Sequence, residues 1–398
     1  MSNQKENRWG QLYTPIQNSE ELSQLLDHLA NAETIGATDA VTFQPCKSDI
    51  SQDRFFVEEW DKGWKFLAVV RRHRCSGDAL KDLQCDGHAG HETVTHVVAT
   101  LPGLVRDALK DNDADPGSIL CAAIEQIDAR IGQDLLELFP DGPAALSDDE
   151  IDTLINDDGP NSAKVLRCMR GSTVLAALIG PDHDLWVASL GDCQAVLGFK
   201  APSGQWESQI LSSNHNGANE TEAARVQSEH PGEPETILRE RVLGAIAVTR
   251  AVGDFLFKLP SVYTTRVFMN AKPGFQFSSK IADFLGRNLT PPYLSAKCDL
   301  QHVHLPSLGS SEPPFLVLAS DGLIDLSCDT YGYDHRDLTL MAKKWTQVLA
   351  RQERTGNGAL YLLRDAMGQD EDSVSAWLTV ESDSKWMDDI TVLFTPLL

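Results

Sequence analysis

The spacing of apolar residues changes along the chain, and with it the expected element. "SEELSQLLDHLANAE" (19–33) places a Ser and acids ahead of spaced apolar residues, the pattern of a capped helix. "DRFFVEEW" and "GWKFLAVV" predict two short strands about an Asp-Lys-Gly turn. Val94, Val97, Val98, Leu101 and Leu104 recur at helical spacing within "GHETVTHVVATLPGLVRDALK", with Pro102 marking a possible kink site. "SILCAAIEQIDARIGQDLLELF" repeats that signal, and the acidic stretch from about 140 to 163 reads as a water-facing loop. The period then shortens: "STVLAALIG", "LWVASLG" and "CQAVLGF" predict a three-stranded antiparallel meander. "FLVLAS" and "ITVLFTPLL" add buried strands, with helices over "LTLMAKKWTQVLARQ" and "GNGALYLLRDAMG" between them. Strands and helices do not alternate regularly, which points to the α+β class, with sheets and helices packed outside them.

Charge narrows the partners. The 398 residues carry 34 Lys and Arg against 58 Asp and Glu, a net charge of -24, which repels nucleic acid and anionic membranes. The 8 cysteines show no CxxC or CxxH spacing, so reduced thiols are expected rather than a zinc site or a disulfide framework. The first residues lack an apolar signal core, and no window reaches the roughly 18 apolar residues of a membrane span. These features predict a soluble cytoplasmic or nuclear protein.

Three acids stand at the mouths of apolar strands: Asp53 before "RFFV", Asp321 after "FLVLAS" and Asp388 before "ITVLF". A lone Asp at such a place is ordinarily a turn residue or a cap. Buried carboxylates are costly unless paired or bound to cations. If the three strand ends converge, their oxygens suit a hard divalent ion such as Mg²⁺ or Mn²⁺.

"CDGHAGH", "GSTVLAALIG", "LWVASLGDCQAVL", "AIAVTRAVGDFLFK", "LASDGLIDL" and "DDITVLF" occur in one order. In that order they resemble the signature blocks of the metal-dependent protein phosphatase 2C-type (PPM) family, from about residue 45 onward. "SEHPGE", "RVLGAIAVTRAVGD" and "TPPYLSAKCDL" are similar to the branch that contains pyruvate dehydrogenase phosphatase, which makes the mitochondrial matrix the alternative location. The resemblance implies a sandwich of two antiparallel sheets flanked by helices, with a metal site at one end, formed by residues 46–398 after an N-terminal extension over 1–45. It implies two Mg²⁺ or Mn²⁺ ions per site held by Asp53, Asp86, the Gly87 carbonyl, Asp321 and Asp388, with Asp192 and Asp325 at a third, weaker site. His88 would protonate the leaving alcohol while a metal-activated water attacks phosphorus directly. The implied partners are phosphoprotein substrates carrying phosphoserine or phosphothreonine; the oligomeric state is left open.

The chain also departs from that pattern. Gln52-Asp53 stands where many members have Glu-Asp, and the cation nearest to the place of a phosphate-gripping Arg is Lys47, a point charge without the guanidinium fork. The segment from Ser212 to Glu240 corresponds to a substrate-selecting flap or to an ordinary exposed loop. Residues 70–84 are extra, since the family pattern runs "FLAV" directly into "CDGHAGH". Val codons begin with GT and one Gln codon is CAG, so an in-frame retained intron from Val70 to Gln84 is the favoured reading and a native surface insertion the other. Either way the charged "RRHRCSGDALKD" is expected to be exposed, and Asp86 displaced. A catalytically impaired relative acting as a binding or regulatory module is therefore the alternative to an enzyme.

Overall fold

The computed structural model describes residues 4–7, 9–46, 51–71, 91–111, 114–275, 278–351, 356–382 and 385–397. Its centre is a pair of antiparallel sheets. Their strands are β1 (Ala30–Ile35), β2 (Thr38–Phe43), β3 (Arg54–Glu59), β4 (Lys65–Arg71), β5 (Gly171–Ile179), β6 (Asp184–Leu190), β7 (Gln194–Lys200), β8 (Trp206–Ile210), β9 (Asp299–His304), β10 (Phe315–Ala319) and β11 (Ile390–Pro396). One sheet runs β9-β6-β5-β4-β3, with Val252–Gly253 paired onto the start of β5; the other runs β8-β7-β10-β11-β2-β1. Residues 30–43, set apart as an extension in the sequence, thus contribute β1 and β2 to the second sheet. The expected meander is corrected as well. β5 and β6 pair, but β7 crosses to the opposite sheet, where it lies between β8 and β10.

Side-chain parity explains why the strands read as unbroken apolar runs. In β4, Phe66, Ala68 and Val70 face one apolar cluster, and Leu67 and Val69 face another. The second cluster is the sandwich interior, shared with Leu175, Ala177, Val187, Leu197, Leu316, Leu318 and Leu393. Both faces of each central strand are covered, so alternation between apolar and polar residues disappears.

Helices cover both outer faces: α1 (Ser19–Leu29), α2 (Glu92–Asp111), α3 (Pro116–Leu136), α4 (Asp148–Ile155), α5 (Pro160–Met169), α6 (Glu220–Glu229), α7 (Ser261–Arg266), α8 (Ser278–Leu285), α9 (Asp321–Tyr331), α10 (Leu338–Arg351), α11 (Gly358–Ala366) and α12 (Glu371–Leu378). Helices α2 and α3 pack on β4, β5 and β6 through Val97, Leu101, Leu120 and Ile124, with α5 against both and α4 against α5; on the other side α9 and α11 cover β2 and β11, α10 covers β7 and β8, and α12 packs on α1. Helix α1 is capped by Asn18, whose side chain accepts from the Glu20 and Glu21 amides. It stops at Leu29 because Ala30 turns extended and the chain joins β2, a tertiary pairing that overrides helical propensity. The stretch expected as an acidic loop is mostly helix. Ser147 and Glu150 form a reciprocal capping box that starts α4, and Pro160 opens α5. No helix among the described residues is long and apolar enough to cross a membrane.

Candidate metal centre

Strand register brings the acids to one end of the sandwich. Arg54 lies opposite Val70, so Asp53 and Arg71 are the next residues along at the same end of β3 and β4. Ala319, the last residue of β10, lies opposite Gln194 at the start of β7 and Val392 near the start of β11. Asp321 opens α9 just beyond Ala319, Asp192 sits in the turn before β7, and Asp388 lies two residues before the start of β11. The turn that carries Asp192 depends on Gly191, whose φ is +110° and where a Cβ would fall 2.2 Å from a Thr173 carbon.

At the centre of these acids lies a residue the sequence reading assigned to an exposed tether. Arg71 is the last residue of β4, shares parity with Leu67 and Val69, and is only 4% exposed. The expectation that the run from Arg71 onward is exposed is therefore corrected at its first residue: hydrogen-bonded pairing with Thr173 continues the strand and turns this side chain between the sheets. Its Nη1 lies 2.6 Å from Asp321 Oδ2 and 3.7 Å from Asp192 Oδ1, and its Nη2 lies 2.5 Å from Asp388 Oδ2. Asp53 is 3% exposed. Among the described residues, neither of its carboxylate oxygens has a hydrogen-bond partner, and Asp321 Oδ1 and Asp192 Oδ1 lack one as well.

A second layer flanks the centre. Asp389 Oδ1 accepts from Lys385 Nζ at 2.7 Å and from Gln44 Nε2 at 2.8 Å, and its Oδ2 accepts from the Gln52 amide at 2.9 Å. Lys385 Nζ is also 3.7 Å from Asp388 Oδ1. Asp192 Oδ2 accepts from Asn216 Nδ2 at 3.0 Å, which ties the centre to the segment from Ser212 to Glu240. That segment is more than an exposed loop: it contains α6, with Glu222, Val226 and His230 buried.

Five acids, Asp53, Asp192, Asp321, Asp388 and Asp389, thus face two cations, Arg71 and Lys385. Burial pushes the Asp53 carboxyl up to about 8, reinforced by the charge of Asp389 and opposed by Arg71. Burial likewise raises Asp321 well above the usual carboxylate range despite Arg71. Both shifts reflect carboxylates with too little positive charge nearby to offset the cost of removing them from water.

The sequence-predicted residues divide accordingly. Asp53, Asp192, Asp321 and Asp388 come together. Asp325 lies one turn further along α9, near enough to raise Asp321 slightly, but its own side chain is half exposed and pairs with His335 Nδ1 at 3.2 Å. Lys47, Asp86, Gly87 and His88 lie outside the described residues. Arg71, Lys385, Gln44 and Asp389 were missed; the paired "DD" at 388–389 before a buried strand was the one available signal. Orphaned carboxylate oxygens in an all-oxygen donor set fit a hard divalent cation. As the described residues stand, however, no three His, Cys, Asp or Glu side chains among them close on a metal-sized space, because the Arg71 guanidinium lies between the acids.

A family model described as Protein phosphatase 2C matches residues 83–351. A protein phosphatase 2C homolog of Schizosaccharomyces pombe is 27% identical over 338 residues, covering 77% of this chain and 71% of that one. The human mitochondrial pyruvate dehydrogenase phosphatase 2 is 29% identical over 276 residues, 61% of this chain and 51% of its own length, so the chain spans about half of that relative. Among solved structures, a serine-threonine phosphatase 2C from Toxoplasma gondii has a TM-score of 0.50 at 14% identity, covering 92% of this chain and 97% of that one. A sex-determining protein of C. elegans has a TM-score of 0.52 at 17% identity, covering 92% and 66%. These two likenesses bear on the fold, and they agree with the sandwich described above.

Proposed function

Because the chain belongs to the protein phosphatase 2C family, we propose that it is a protein serine/threonine phosphatase that depends on Mg²⁺ or Mn²⁺ and hydrolyses phosphoserine and phosphothreonine without a covalent enzyme intermediate. The observation that carries this reading is the convergence of Asp53, Asp192, Asp321 and Asp388, from four separate junctions, with oxygens of Asp53, Asp192 and Asp321 that find no hydrogen-bond partner among the described residues. Asp53, Asp321 and Asp388 would hold two ions together with Asp86 and the Gly87 carbonyl. Asp192 and Asp325 would serve a third, weaker one. Divalent ions bound there supply a water of lowered pKa and neutralise the phosphate charge.

This chain's own groups do the rest. Asp389 is locked by Lys385, Gln44 and the Gln52 amide, and so fixes the loop that presents Asp388. Asn216 holds Asp192 through its second oxygen. His88 would donate a proton to the departing Ser or Thr oxygen, and Lys47 would attract the phosphate. The pyruvate dehydrogenase phosphatases among the relatives bring a mitochondrial phosphoprotein into the set of substrates to test.

The buried Arg71 favours a second reading, a catalytically impaired module that retains the fold and the partner-binding surface. Titrating Mn²⁺ and Mg²⁺ against hydrolysis of phosphothreonine peptides separates the two. Turnover that saturates with metal supports the enzyme, and His88→Ala should then lower kcat more than it raises KM. Metal binding without turnover leaves only the module.

A further inference from the structure

A guanidinium inside a metal-type acid cluster needs a reason. Parity puts it there, since Arg71 follows Leu67 and Val69 on the interior face of β4. Its fork then reaches two acids on different elements, Asp321 at the start of α9 and Asp388 before β11, with Asp192 beyond. This is a poor solution as a structural ion pair. One delocalised charge cannot serve four carboxylates, and among the described residues Asp53 Oδ1, Asp53 Oδ2, Asp192 Oδ1 and Asp321 Oδ1 find no hydrogen-bond partner, nor does Arg71 Nε. The oxygens that Arg71 does engage are among those a divalent ion would need.

We propose that Arg71 is an internal competitor of the divalent metal: its guanidinium holds the acid cluster together in the metal-free chain and must swing away before Mg²⁺ or Mn²⁺ can be bound. This inference rests on the metal-dependent reading above and adds a regulatory element to it. Two consequences follow from charge alone. Arg71 offsets carboxylate repulsion, so the chain folds without metal. The same positive charge repels an incoming divalent ion at the distance of a direct contact, so metal affinity is low while Arg71 is present.

The test compares the full chain with Arg71→Ala by counting bound Mn²⁺ with electron paramagnetic resonance and by thermal melting in chelator and in Mn²⁺. Arg71→Ala should bind its first Mn²⁺ about 10-fold more tightly. It should also melt lower than wild type in chelator and gain more from added Mn²⁺, and Asp321→Asn in that background should abolish the gain in affinity. If Arg71→Ala does not fold in chelator, Arg71→Gln carries the same comparison, because the amide keeps a donor but loses the charge. Equal or weaker Mn²⁺ binding by the Arg71 variants would overturn the competition and leave the metal-dependent reading standing. Failure of every chain to bind Mn²⁺ at millimolar concentration would overturn both.

Discussion

Two buried arginines end in acid clusters, and the clusters differ in kind. Arg250 donates through Nε and Nη2 to Glu222 at 3.1 and 2.6 Å, and through Nη1 to Asp299 and the Lys297 carbonyl, both at 2.9 Å. Glu222 also accepts from Arg225 and from the Thr249 hydroxyl, and His215 Nε2 pairs with Asp299 at 3.1 Å. Among the described residues, no polar side-chain atom of Glu222, Arg250, Asp299 or His215 is buried without a partner, and the Glu222 carboxyl is held far below its ordinary range by Arg250, Arg225 and Thr249, against the opposing effect of burial. The Arg71 cluster shows the reverse: oxygens without partners, and Asp53 and Asp321 raised rather than lowered. A saturated network fastens α6 to the body of the fold. An unsaturated one leaves oxygens open to a ligand, as the proposed metal site requires.

Neutralising one acid of the Arg71 cluster should separate the two clusters most sharply. On the proposed reading, Asp321→Asn should lower metal-dependent turnover on the order of 1,000-fold, because a metal-ligand charge would be lost at the reacting centre. The same change should leave the metal-free melting temperature unchanged or raise it, since it relieves like-charge crowding around Arg71. Near-normal turnover in Asp321→Asn would contradict the assignment of the centre.

Removing residues Val70 through Gln84 should have the next largest effect. The deletion brings Asp86 to the strand position that Arg71 holds, on the same interior-facing parity, and so exchanges a cation for a carboxylate at the centre. Metal-dependent activity should rise by roughly 100-fold, the scale on which about 1 Å of misplacement affects a catalytic group. Stability in Mn²⁺ should rise with it. A shortened chain that melts lower and turns over more slowly, together with a transcript that retains these codons, would establish residues 70–84 as a native element.

At the Arg250 cluster the largest effect should be on stability. Arg250→Met leaves Glu222 buried with only Arg225 and Thr249 as partners and should cost about 3–5 kcal/mol, read from denaturant unfolding. Metal affinity should be unaffected; a parallel loss of Mn²⁺ binding would show that the two clusters are coupled through Asn216 and Asp192.

The smallest expected effect is the pH response of that network. Glu222 has a depressed folded pKa, so its contribution is full above its unfolded value of 4.5 and is lost as pH falls below it. His215 is lowered from 6.5, chiefly by burial and then by Arg250, so the unfolded chain takes up its proton first and stability drops as pH falls through about 6.5. Both act in one direction. The protection factors of the α6 amides, exchange corrected for its intrinsic slowing in acid, should therefore fall from pH 7 toward pH 4; protection that holds or rises instead would show that the network is not what holds this helix.

Much of this architecture was readable from the chain. Helices α2, α3, α10 and α11 and strands β3 to β7, β10 and β11 follow from apolar period, and Asp53, Asp321 and Asp388 stood out as acids beside apolar strands. The failures have physical causes. A strand that turns back onto its neighbour and one that crosses to the opposite sheet share the same local pattern, so β7 looked like the third strand of a meander. The capping signal "SDDE" at 147–150 was legible, but the density of acid obscured the helix it starts. Arg71 was missed because an arginine at the end of an apolar run reads as the end of the strand. Its counter-charges stand at 53, 192, 321 and 388, so only the folded chain shows that the position is paid for.

On the proposed reading, one acid cluster serves either an internal guanidinium or a divalent metal. Crystals of the full chain soaked in Mn²⁺, with diffraction measured near the manganese absorption edge, test it directly. The expected map has an anomalous peak among Asp53, Asp321 and Asp388, with the Arg71 guanidinium withdrawn from Asp321 and Asp388. A map with no anomalous peak there, and Arg71 still paired to both acids at saturating Mn²⁺, would contradict the account.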